Sequence, residues 1–197
     1  KDQNPSNGGN ITLTAKDDVS VGGFGLSDYV DRFDESNQEL DVFAALDDIA
    51  LDLGFNEGEV NTRTVVDNID NITSGVIISA TGAGDGDVGS GGEIKITSTE
   101  GSIKTGFTAS LAGTGDGNTG NGGNITMTSD QNITTGILFS ATGTGNGDAG
   151  NGGNISLTAN NGSITTAPLI SAALSLDGKD GNGGEITLEA KNEVKLG

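Results

Sequence analysis

The apolar residues of this chain come in short alternating bursts, and the same bursts return along its length. One kind reads NITLT at 10–14, EIKIT at 93–97, NITMT at 124–128, NISLT at 154–158 and EITLE at 185–189. In it Ile125 and Met127 are apolar while Thr126 and Thr128 are polar, the two-residue period of a half-buried strand. A glycine pair precedes each burst: Gly8-Gly9, Gly91-Gly92, Gly122-Gly123, Gly152-Gly153 and Gly183-Gly184, the last four spaced 31, 30 and 31 residues apart. Self-similarity at such a period belongs to solenoids, propellers or arrays.

A second strand is predicted eight or nine residues later, at NITSG, SIKTG, NITTG and SITTA, with Ile72, Ile103, Ile133 and Ile164 in one column. A third follows at once in VIISAT, FTASLA, ILFSAT and PLISAA, where Ser79, Ser110, Ser140 and Ser171 again keep the 31, 30, 31 spacing. Beside the serines run the columns Ile78, Ala109, Phe139, Ile170 and Ala80, Leu111, Ala141, Ala172. A large residue in one column meets a small one in the other, as facing neighbours in a packed interior do. These two columns are therefore assigned to the inside. The opposite side of the strand, carrying Ile77, Thr108, Leu138 and Leu169, is assigned to the outside as a covered, interacting ladder. The cover is either an insertion of the same chain or a neighbouring molecule.

Three short strands per period describe an all-β fold, a right-handed parallel β-helix with coils of about 30 residues stacked about 4.8 Å apart. Such a coil needs few apolar residues because its thin core is completed by the coils above and below. Glycines suit its crowded corners, and Asn121, Asn124, Asn151 and Asn154 are placed to form amide ladders. A propeller, the main rival, needs about 40 residues and a fourth strand per blade. The test of the solenoid is that the four serines lie in a single file.

Composition narrows the function. The chain has 197 residues, 35 glycines, 4% aromatic residues, no cysteine, no histidine and a formal charge of −19. Excess acid makes nucleic acid an unsuitable partner. The missing cysteine and histidine remove disulfides, thiolate metal sites, the usual zinc sites and Ser-His triads. No apolar run approaches the ~20 residues of a membrane-spanning helix. Lys1 opens the sequence with no signal peptide, so 1–197 is expected to be one β-helix segment of a longer protein or filament.

The stretches GNGGNITMTS and GNGGNISLTANNGSITT resemble the repeats of filamentous-haemagglutinin-like exoproteins, especially the large cyanobacterial ones exported by two-partner secretion. The resemblance covers about residues 61–197 together with 7–21. It implies a right-handed parallel β-helix on a secreted or surface-anchored protein that serves in adhesion or as an extracellular filament. It brings no catalytic residues, and the family's secretion domain is not evident in this chain.

Between Gly9 and Gly91 the period fails. Residues 24–60 differ in kind: up to Glu59 they hold four of the six phenylalanines, the single tyrosine and 11 of the 28 acidic residues, against one base, Arg32. Leu26, Tyr29, Val30 and Phe33 have helical spacing, and Phe43 falls in a continuation. This is read as an acidic, aromatic-rich, partly helical insertion at a coil corner, where solenoids often bind. Tyr29, Phe33 and Phe43 join Ile77, Leu138 and Leu169 as the expected interaction residues.

Four sets of polar residues bear on chemistry. Asp85, Asp116 and Asp177 stand six residues before a glycine pair, and Asp87 and Asp148 stand four before. Stacked carboxylates repel, and a hard cation with oxygen ligands would relieve them. Calcium is thus the metal these five residues would hold, although solvated turns moderated by Asn118, Asn146 and Lys179 need none and no cofactor is required. Thr12 and Thr14, Thr126 and Thr128, Ser156 and Thr158 form rows like those of ice-binding solenoids, interrupted by Lys95 and Glu189; threonine also simply favours strands. Carboxylates are plentiful enough for a carbohydrate-active β-helix enzyme, but none groups into a cluster with a basic clamp. Six Asn-x-Ser/Thr sequons, among them Asn71, Asn132 and Asn161, arise from composition, and no glycan is assigned.

The expected function is structural or adhesive and non-enzymatic. A rigid rod, secreted or on the cell surface, displays its insertion to a glycan or protein ligand and continues as a longer solenoid or self-associates. The alternatives are a carbohydrate-active enzyme and an ice-binding solenoid.

Overall fold

A computed structural model describes residues 7–21, 76–81, 86–143, 145–175 and 177–197. The insertion at 24–60, with Tyr29, Phe33 and Phe43, lies outside the described residues, as do Ile72 and Asp85. Among the described residues there are fourteen strands and no helix. β1 (Ile11–Ala15), β4 (Ile94–Ser98), β7 (Ile125–Ser129), β10 (Ile155–Ala159) and β13 (Ile186–Ala190) form the first sheet in that spatial order. The second contains β2 (Val19–Val21), β5 (Ile103–Thr105), β8 (Ile133–Thr135), β11 (Ile164–Thr166) and β14 (Val194–Leu196). The third contains β3 (Val76–Ala80), β6 (Phe107–Leu111), β9 (Leu138–Ala141) and β12 (Leu169–Ala172). Every pairing is parallel and in register from coil to coil, so the chain is a β-solenoid.

The alternation places the core. Ile94, Ile125 and Ile155 stack directly, as do Ile103, Ile133 and Ile164, and all are at most 1% exposed. Each fully buried aliphatic side chain contributes on the order of 1.5–3 kcal/mol relative to exposure. A coil offers only a few, so stability accumulates by stacking.

The serines form one file: Ser79 pairs with Ser110, Ser110 with Ser140 and Ser140 with Ser171. Their side of the strand is the reverse of the expected one. Ile77, at 6% exposure, and Leu138, at 0%, belong to the same core cluster as Ile125 and Ile133, and Leu169 packs against it. The Ile77, Thr108, Leu138, Leu169 ladder therefore lines the interior and is not an interacting outer face. Columns Ile78, Ala109, Phe139, Ile170 and Ala80, Leu111, Ala141, Ala172 lie on the other side of this sheet. Most of their residues join Phe107 in a second apolar cluster. The large-for-small exchange holds there: Ala109 and Ala141 are fully buried beside Phe139.

The reversal has a hydrogen-bonding cause. An inward serine would be costly without partners; Ser79, Ser140 and Ser171 each have two, and Ser110 donates to the Gly92 carbonyl at 2.6 Å. Ser140 Oγ donates to the Gly123 carbonyl at 2.7 Å and accepts from the Gly153 N–H at 3.0 Å. Ser79 bridges Gly9 and Gly92 in the same way, and Ser171 bridges Gly153 and Gly184. A serine thus ties the glycine corner of one coil to that of the next.

Thr108, like Thr105 and Thr119, is an exception to this economy. It is fully buried in the column of Ile77 and Leu138, and its Oγ1 has no hydrogen-bond partner. Thr108→Val exchanges an unsatisfied hydroxyl for a methyl of similar size. It is expected to stabilise the chain by about 1 kcal/mol, read as a higher denaturation midpoint at unchanged m-value.

Candidate functional surfaces

The acidic loop columns are drawn together by stacking, and one carboxylate oxygen each of Asp87 and Asp148 is engaged there. Asp87 Oδ1 accepts the backbone N–H of Asn118 at 2.8 Å, Asn118 Oδ1 accepts that of Asp148 at 2.9 Å, and Asp148 Oδ1 accepts that of Lys179 at 3.0 Å. A short side-chain acceptor in one coil captures the main chain of the next, the capping use for which Asn and Asp are suited. The interleaved Asn and Asp are explained by this shared task. Asp116 and Asp177 are exposed on the neighbouring column. Among the described residues no three His, Cys, Asp or Glu gather in a group able to hold a metal. Because Asp87 and Asp148 already accept backbone N–H groups, removing divalent cations with EDTA is expected to leave the melting temperature unchanged; a lowered value would support the calcium reading.

Two further columns flank the glycine pairs and repeat the device. Asn7, Asn121 and Asn151 accept from the N–H groups of Ser90, Asn151 and Asn182. Asn10, Asn124 and Asn154 accept from those of Glu93, Asn154 and Glu185. Between them runs an open trough, with Ser90, Asn121 and Asn151 on one wall and Glu93, Asn124 and Asn154 on the other. Its glycine floor has an internal cause: a Cβ on Gly122 would meet Ser140 Oγ at 2.8 Å. The sequence showed these asparagines as ladders; what it did not show is that their carbonyls bind backbone and not one another.

The outer face of the first sheet carries the threonine rows in register. Thr14, Thr97, Thr128 and Thr158 form one continuous column, ended by Glu189, while Lys95 interrupts the column of Thr12, Thr126 and Ser156. This face is exposed or half-buried. The second sheet's outer face presents Ser20, Lys104, Thr134, Thr165 and Lys195. Lys16–Glu100 at 3.3 Å and Lys195–Glu193 at 3.2 Å are exposed ion pairs and add little stability. Asp130 accepts hydrogen bonds from the side-chain amides of Gln131 and Asn161.

The two sets of expected interaction residues part company. Ile77, Leu138 and Leu169 belong to the core, and the aromatic residues of the insertion lie outside the described residues. Among the described residues, no helix is long and apolar enough to cross a membrane. Neither a family model, a curated protein nor a solved structure matches this chain.

Proposed function

We propose that this chain is a structural, adhesive segment of a secreted or cell-surface β-solenoid, as its resemblance to filamentous-haemagglutinin-like exoproteins implies. The observation that supports this reading best is the axial direction of its polar side chains. Serines, asparagines and aspartates in several columns bind the backbone of an adjacent coil, which stiffens a rod along its axis. The exposed threonine face and acidic loops are what a glycan or protein ligand would meet. Self-association, or continuation as a longer solenoid, belongs to the same reading.

The test is immunogold labelling of intact source cells with antibody against the chain. Label on the outer surface or on extracellular filaments supports the proposal, and label confined to the cell interior overturns it. Release of reducing ends from polysaccharides by the purified chain would instead favour the carbohydrate-active enzyme.

A further inference from the structure

We infer that Asn161 is a site of spontaneous deamidation, and that the coil stack restrains the same reaction at Asn121 and Asn151. All three precede glycine, which has no side chain to hinder attack by its own backbone nitrogen. In the reaction the glycine nitrogen, losing its proton to hydroxide or buffer, bonds to the asparagine Cγ. The departing amide nitrogen takes a proton from water or buffer, the Cγ–Nδ2 bond breaks and ammonia leaves. Water then opens the resulting succinimide at either carbonyl, giving aspartate or isoaspartate.

Both reacting groups must be free to approach, and at two of the sites neither is. The Gly122 N–H donates to the Asn151 carbonyl at 2.9 Å, and Asn121 Oδ1 accepts the Asn151 N–H at 2.7 Å. The Gly152 N–H donates to the Asn182 carbonyl at 2.8 Å, and Asn151 Oδ1 accepts the Asn182 N–H at 2.9 Å. Attack at either site requires the contact with the next coil to open first.

Asn161, in the corner between β10 and β11, is exposed and differently held. Its carboxamide is held only by side chains, Nδ2 donating to Asp130 Oδ1 at 2.7 Å and Oδ1 accepting from Lys191 Nζ at 3.2 Å. Its main chain is tied on both sides, the Asn161 N–H donating to the Asp130 carbonyl at 2.8 Å and Asn192 Nδ2 to the Asn161 carbonyl at 3.2 Å, and Gly162 is buried. Among the described residues no hydrogen bond holds the Gly162 N–H. Each event would add one negative charge to a chain already at −19, and the isoaspartate branch would lengthen the main chain of that corner by one methylene.

The experiment is incubation of the whole folded chain at mildly alkaline pH, followed by peptide mapping with mass spectrometry. Asn161 is expected to deamidate at least about tenfold faster than Asn121 and Asn151, the difference being set by local opening. Asn182, which shares their Asn-Gly-Gly context but has no hydrogen bond to its side chain among the described residues, should also outpace them. In denaturant the ranking should collapse, because local sequence alone then sets the rates. Equal rates at Asn121, Asn151 and Asn161 in the folded chain, or a ranking that survives denaturant, would overturn the inference.

Discussion

Gly123→Ala is expected to destabilise the chain by about 3 kcal/mol or more, the upper end of what overpacking costs. A Cβ at this position would fall inside contact distance of the Gly92 carbonyl oxygen and of Ser110 Oγ. The first is main chain of the adjacent coil and cannot rotate away. The second is fixed by its own hydrogen bond to the Gly92 carbonyl at 2.6 Å. Relief therefore means separating two coils along the axis, which strains parallel ladders in all three sheets. Because each coil of a solenoid is supported by its neighbours, the damage should spread beyond the site. Gly86→Ala is the control: its φ of 103° strains any side chain, but no atom lies within 4 Å of its Cβ position, so about 1 kcal/mol is expected. Chemical denaturation of the two variants checks the ranking, and a Gly123→Ala chain as stable as Gly86→Ala would contradict the close approach of the two coils at this corner.

The second large effect belongs to Leu138→Ala. Leu138 is fully buried in the main cluster, and truncation there leaves a cavity between Thr108 above and Leu169 below. The expected loss is about 3 kcal/mol, within the range for buried leucine. Were this ladder on the outside and bare, the same change would cost no more than about 0.5 kcal/mol. The denaturation midpoint thus reports which face of the third strand looks inward.

Much of this architecture is legible in the chain because a solenoid writes its neighbours into its period. The Ile125–Met127 alternation, the glycine pairs and the serine spacing each assign a residue to a rung, and the parallel register follows the alignment of one period on the next. The faces of the third strand are not legible in the same way. Phe139 and Leu138 are adjacent and both apolar, so that strand has little of the alternation that marks an inside and an outside; a strand buried on both faces reads as a continuous apolar run. Volume exchange identified a packed column correctly and assigned it to the wrong cluster. The signal that points the other way is the constant 13-residue interval from each serine to the second glycine of the next pair. Its meaning depends on knowing that a hydroxyl in the core has carbonyl and N–H partners there.

The candidate chemistry divides along the same line. Asp87 and Asp148 stand out in sequence as stacked acids, and charge alone assigns them a cation. In the fold, one oxygen of each accepts a backbone N–H of the next coil. Periodicity by itself determined the coil, its length and the rungs on which residues meet, because those depend only on which positions recur. Only the tertiary structure decided which side of the third sheet is core and what each polar side chain touches, because both depend on groups that sequence distance does not bring together.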